Sequence, residues 1–151
     1  MYTLVMNSPI GDLVLHANDK NLLSVEFVHE KTSYPTNTNH GILLQAKSQL
    51  EEFFNGRRKE FNLPLRIEGT PFQKEVWKTL QKIPYGETWS YQDVAEAIDR
   101  PKAVRAIGQA NKVNRFPIII PCHRVIGKNK TLTGYAGNQV DKKKTLLLLE
   151  Q

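Results

Sequence analysis

Cys122 is the only cysteine among 151 residues, and it sits in "IIIPCHRVIG" (118–127), directly before His123 and Arg124. A lone thiol cannot close an intramolecular disulfide or build a Cys-rich metal site. What remains is a buried hydrophobe, a surface accident or a nucleophile. A nucleophile must be a thiolate, and a free thiol with a pKa of about 8.5 is only a few per cent ionised at pH 7. Nearby cations raise that fraction, and His123 and Arg124 are the candidates in sequence. Neighbours on a regular strand face opposite ways, so His123 reaches Cys122 only where the chain turns, or through water. Spacing alone favours a structural cysteine.

The elements around the thiol sharpen the question. "FPIIIP" (116–121) is a short β-branched run bracketed by prolines, which predicts a fully buried strand with Cys122 at its end, facing a cleft. Upstream, Thr70 as cap, Pro71 at the first helical position and Gln73 three residues on predict a helix with a capping box. Its apolar stripe is Phe72, Val76, Trp77, Leu80 and Ile83, read as core. "IPYGE" (83–87) is a turn. Ser90 caps a second helix with Tyr91, Val94, Ala95 and Ile98 on its apolar face. Asp99-Arg100-Pro101 interrupts it, and Pro101 is placed to start a third helix, "PKAVRAIGQAN". Two short helices across so tight a break read as a helix-turn-helix. Ala103, Ala106, Gly108 and Ala110 give the third helix little bulk, although a glycine inside a helix costs roughly 1 kcal/mol relative to alanine. Small residues admit either a neighbouring helix or a nucleic-acid backbone, and Arg105 among them must turn one side outward.

The first part of the chain has a different pattern. "LVLHA" (13–17) and "LLSVEF" (22–27), joined by "NDKN", predict a hairpin. Residues 30–41 are polar and read as a loop. Leu43, Ala46, Leu50, Phe53 and Phe54 recur at helical spacing, with Gly56 as a stop. "EFNLPLRIEG" (60–69) is extended, Pro64 favouring an edge strand. Of the net charge of +6, residues 1–69 carry −1 and residues 70–151 carry +7. A basic half suggests a polyanionic partner, most simply nucleic acid, with a solubilising surface as the alternative. No run of about 18 apolar residues predicts a membrane span. The first residues lack a basic stretch followed by an apolar core, and with one cysteine the expectation is a reducing cytoplasm.

Taken together, "GTPFQKEVW" (69–77), "IPYGETWSY" (83–91), "RPKAVRAIGQAN" (100–111), "IIIPCHRVIG" (118–127) and "GYAG" (134–137) resemble the O6-alkylguanine-DNA alkyltransferases. The resemblance is strong over about 70–150. It is weaker before that, where "NSPIGDLVL" (7–15) is the main match. The fold class it implies is an α/β N-terminal domain, a small sheet plus a helix (1–68), followed by a mainly α, winged-helix-like domain with a helix-turn-helix (69–151). The activity it implies is direct DNA repair: stoichiometric, irreversible transfer of an alkyl group from O6-alkylguanine, or O4-alkylthymine, to Cys122. No metal or organic cofactor is needed for that displacement. The implied partner is double-stranded DNA, bound through the minor groove with base flipping, and a protein that flips a single base needs no dimer, so a monomer is expected.

The resemblance also implies roles, position by position. His123 activates Cys122 through a bridging water, Glu150 orients His123, and Asn114 braces the chain around the nucleophile. The carbonyls of Cys122 and Val125 accept from the guanine amino group. The Tyr91 hydroxyl donates to ring N3 and the Ala136 N–H to O6, while Tyr135 and Gly137 shape the loop over the pocket. Arg105 enters the duplex in place of the flipped base, on a helix whose Ala103, Ala106 and Gly108 fit the groove. The active-site lysine maps to Lys142 or Lys143, depending on where a one-residue insertion lies, and Lys143 is preferred. The chain departs from the family pattern at Arg115 (usually proline), at Asn138 (usually glycine) and at Trp89, which is bulkier than expected. Two rivals keep the same residues: a non-catalytic damage sensor or regulator on this scaffold, and a cysteine hydrolase, which would leave the basic helix-turn-helix unexplained.

Overall fold

In the computed structural model, residues 1–28, 39–127 and 140–151 are described, and they fall into two units, Met1–Ile67 and Glu68–Gln151. The first is built on a three-stranded antiparallel sheet: β1 (Tyr2–Met6), β2 (Leu13–Ala17) and β3 (Leu22–Phe27), in that order. The predicted hairpin is β2–β3. β1 was not read from the sequence; it adds to the other side, with Leu4 opposite Leu15 and Met6 opposite Leu13. The central strand is buried at Leu13, Val14, Leu15 and Ala17. The helix α1 (Gly41–Phe54) packs on the sheet through Leu43, Ala46, Leu50 and Phe53. It stops as predicted: Gly56 adopts φ +74, and the N–H groups of Gly56 and Arg57 return to the carbonyls of Phe53 and Glu52, which satisfies the last turn. The extended stretch around Pro64 makes only an isolated bridge, Leu65 to Leu22, at the sheet edge.

The second unit opens at α2 (Pro71–Leu80), where the Thr70 hydroxyl accepts from the Gln73 N–H at 3.1 Å and the Gln73 side chain accepts from the Thr70 N–H at 2.9 Å. Gly69 leaves room for this cap: a Cβ there would come within 2.7 Å of the Trp77 ring. A two-residue strand, β4 (Trp89–Ser90), leads into α3 (Tyr91–Ala97), capped by Ser90 with Asp93. Helix α3 ends in the same way as α1, except that Asp99 takes the left-handed position at φ 59, and Arg100 N–H reaches the Ala95 carbonyl. Short polar side chains tolerate that conformation. The third helix, α4 (Val104–Lys112), therefore begins three residues later than Pro101 suggested, after a turn through 101–103. Trp77 ties α2 to α4 by donating from Nε1 to the Ala110 carbonyl at 2.9 Å.

The predicted strand over 116–121 is not formed. Asn114 clamps the segment instead: its Oδ1 accepts from Phe116 N–H and its Nδ2 donates to the Ile120 carbonyl, both at 2.9 Å. The Ile120 N–H closes on the Phe116 carbonyl, and Ile118 is forced to φ 78. A β-branched residue in that region costs on the order of 1–3 kcal/mol. Burial of Phe116, Ile118 and Ile120 offsets it, at roughly 1.5–3 kcal/mol for each large apolar side chain. A 3₁₀ turn, Cys122–Arg124, follows, then β5 (Val125–Ile126), which pairs in parallel with β4, and finally α5 (Val140–Leu149).

Candidate active site

The turn at Cys122–Arg124 lets three consecutive side chains do different things. Cys122 is 3 % exposed and His123 is fully buried. Because the chain turns here, His123 is not sent to the far side of a strand. Its Nε2 donates to Glu150 Oε2 at 2.7 Å. Arg124 grips the same carboxylate, with Nε 2.9 Å from Oε1 and Nη2 2.9 Å from Oε2, and its Nη1 donates to the Ile83 carbonyl at 2.8 Å. The Gly86 N–H adds a longer contact to Glu150 Oε1 at 3.4 Å. Arg124, read from the sequence as a cation for the thiol, is instead committed to Glu150.

Helix α5 and Glu150, the residue just after it, bring two charges to the site on one face. Lys143, Leu146 and Glu150 are buried, at spacings of three and four residues. Lys143 is 0 % exposed, its Nζ lies 5.9 Å from the centre of the Tyr91 ring, and its charge acts on Cys122. Lys142, its neighbour, is half-buried. Tyr91, at the start of α3, is also half-buried, and the Cβ direction of Gly108 on α4 points to its ring at 4.0 Å.

The protonation states follow from these contacts. Burial pushes the Cys122 thiol up to about 11, against the pull of a hydrogen bond from Asn114 and of the Lys143 cation. The expected enrichment in resting thiolate is thus reversed: burial outweighs the nearby cations. Burial also holds His123 below its ordinary value, with Glu150 opposing, so the imidazole is neutral at pH 7. Lys143 is brought down to about 8 by burial. Burial alone would raise Glu150, but hydrogen bonds from His123 and Arg124 outweigh it and take the carboxylate to about 2. The site therefore pairs a protonated buried thiol with a neutral imidazole whose Nε2 is held by a fixed carboxylate.

Residues 71–151 match the family described as 6-O-methylguanine DNA methyltransferase, DNA binding domain, and residues 1–67 match the ribonuclease-like domain of the same methyltransferase. The chain belongs to the 6-O-methylguanine DNA methyltransferase family. It is 48% identical over 157 residues to the constitutive methylated-DNA–protein-cysteine methyltransferase of Bacillus subtilis, covering 99% of this chain and 95% of that protein. The Methanosarcina barkeri methylated-DNA–protein-cysteine methyltransferase is 46% identical, with 100% and 98% covered. Among solved structures, Mycobacterium tuberculosis OGT in complex with DNA superposes with a TM-score of 0.88 at 41% identity, covering 99% of this chain and 92% of that one.

Other residues suggested by the family resemblance divide by position. Asn114 is half-buried and clamps the chain two residues before the thiol, and Val125 is buried next to the turn. Arg105 and Ala106 are exposed on α4, while Ala103 and Gly108 are half-buried. Tyr135, Ala136, Gly137 and Asn138 lie outside the described residues. Sequence reasoning gave no role to Asn111, whose Nδ2 donates to the Cys122 carbonyl at 3.3 Å. Its signal was present: an asparagine four residues after Ile107 and next to Ala110, on the buried side of α4. Among the described residues no cluster of three or more His, Cys, Asp or Glu is placed to hold a metal ion, and no helix is long and apolar enough to cross a membrane.

Proposed function

We propose that this protein repairs DNA directly, by moving the alkyl group of an O6-alkylguanine to Cys122 in a single, irreversible turnover. The observation that carries the reading is the buried Cys122 beside the His123–Glu150 pair, within the part of the chain that matches the family's DNA binding domain. With Nε2 committed to Glu150, His123 Nδ1 is the nitrogen that takes the thiol proton, through a water. Sulfur forms its bond to the alkyl carbon as the carbon–O6 bond breaks, and guanine keeps that electron pair. Glu150 stabilises the imidazolium. Tyr91, with its hydroxyl toward ring N3, and the backbone N–H of Ala136, toward O6, stabilise the departing base where charge develops. The carbonyl of Val125 reads its amino group, that of Cys122 being already engaged by Asn111 and Val125, and Lys143 supplies the positive charge beside the sulfur. The product thioether does not hydrolyse, and there is no second thiol to resolve it, so one molecule repairs one lesion.

The DNA duplex is read through its minor groove by the α3–α4 helix-turn-helix, one monomer per lesion. Arg105 fills the gap left by the flipped base, and Ala103, Ala106 and Gly108 allow close approach. The test is mass spectrometry after mixing with duplex DNA carrying O6-methylguanine. The expected result is one methyl added per protein, located on Cys122, and none in Cys122→Ser, which still binds DNA. An unchanged mass with retained binding would make the protein a damage sensor instead.

A further inference from the structure

Asn111 lies in the last turn of α4 and is 2 % exposed. Its Nδ2 donates to the Cys122 carbonyl at 3.3 Å, and its Oδ1 has no hydrogen-bond partner among the described residues. Chemistry fixes this orientation, because turning the amide over would set two acceptors face to face. A buried amide with one end unpaired is a poorer packing residue than leucine, which has the same branched outline and loses nothing on leaving water. Packing therefore does not explain why an amide stands here. The Cys122 carbonyl also accepts from the Val125 N–H, so the 3₁₀ turn holds it from one side and α4 from the other.

We infer that Asn111 is a positioning residue for the transfer: it fixes the peptide that carries the nucleophile, and hence the direction of the Cys122 side chain, from the helix that faces DNA. Asn114, three residues on, holds the chain just before the thiol by its clamp on the Ile120 carbonyl and the Phe116 N–H. Asn111 holds the carbonyl end. The inference rests on the reading of Cys122 as the alkyl acceptor.

The experiment compares the full-length wild type with Asn111→Leu and Asn111→Ala. Four quantities are measured: affinity for undamaged duplex, single-turnover rate on saturating O6-methylguanine duplex, rate on a free O6-alkylguanine base, and the melting temperature. Both variants should keep wild-type affinity and lose roughly tenfold to a hundredfold in rate on both substrates, the scale of a small misplacement of reacting groups. They should lose it alike, whatever the difference between their melting temperatures. A wild-type rate in either variant, or losses that follow the melting temperatures, would overturn the inference. If the leucine variant does not fold, the rate of the alanine variant decides alone. A wild type that fails to methylate Cys122 overturns the proposed function instead.

Discussion

Lys143 is an ammonium group held where water cannot reach it, and this has two opposite consequences. Burial brings it down to about 8, so at neutral pH it is still charged and acts on a thiol that burial has pushed to about 11. Replacing it with methionine keeps the volume and removes the charge. Lys143→Met should therefore slow transfer at pH 7 by roughly tenfold, the equivalent of one further pKa unit on the thiol. The wild-type lysine becomes neutral as pH rises through about 8, so the gap between the two proteins should close above that value. A gap that stays constant to pH 9.5 would mean that Lys143 acts through shape. Stability should move the other way. The unfolded chain binds the proton more tightly than the folded one, so the penalty is complete below about pH 8 and disappears as pH approaches 10.5. At pH 7 the methionine variant should be more stable, by on the order of 1–3 kcal/mol in denaturant unfolding. Lys142 and Lys143 could not be told apart in sequence because the choice depends on a one-residue register. The helical phase of α5 separates them, one half-buried and the other sealed beneath Tyr91.

The next scale is the docking of α5 against the 3₁₀ turn and the "IPYGE" turn, with Glu150 as the joint. Its carboxylate accepts from His123, Arg124 and Gly86, and the Tyr85 hydroxyl donates to the Leu149 carbonyl. Gly86 sits at φ +85, and a Cβ there would press on the Glu150 carbonyl at 3.2 Å. Glu150→Gln leaves a buried guanidinium without its counter-charge, which costs about 3–5 kcal/mol. That difference should be present at pH 7 and should shrink as pH falls from about 4.5 toward 2. In that window the wild-type carboxylate also becomes protonated and its stabilisation is lost. His123, buried neutral with a lowered pKa, adds to acid sensitivity from about pH 6.5 downward. Unfolding curves over this range check both, and a pH-independent difference would exclude the charge as the cause. This joint also marks where sequence reading stopped. Caps, the hairpin, the helix stops and the break between α3 and α4 were legible because each is set by residues within a few positions of one another. The Arg124–Glu150 pair spans 26 residues and left no local trace. The run 116–121 satisfied a strand pattern, yet the side chain of Asn114 won the backbone groups that a strand would have used. Cys122, His123 and Glu150 were named through resemblance, whereas spacing alone had pointed to a structural cysteine.

Across the whole chain, the positive charge is concentrated after residue 69, and within it one stretch stands out: residues 100–115 contain five cations and no acid. Arg100 is taken by Glu75 at 3.5 Å. Lys102, Arg105, Lys112 and Arg115 are exposed, and no ion pair engages them among the described residues. Arg115 follows Asn114 directly and is exposed. These cations need not do the same work. A phosphate contact releases counterions and lowers the slope of log affinity against log salt by about 0.9 for each phosphate on duplex DNA. Lys112→Ala and Arg115→Ala should each make that slope shallower by about this amount and weaken binding to any sequence. Neither should change the transfer rate once the protein is saturated with DNA. Arg105, if it holds the gap left by an extruded base, should behave differently. Extrusion costs a few kcal/mol of stacking and pairing, and that cost is met in the bound complex, where adding more DNA cannot restore it. Arg105→Ala should therefore lose saturated rate on methylated duplex and keep its rate on a free O6-alkylguanine base. Equal losses on the two substrates would make Arg105 a brace of its helix. A loss confined to affinity would place it with Lys112 and Arg115, among the residues that only grip the backbone.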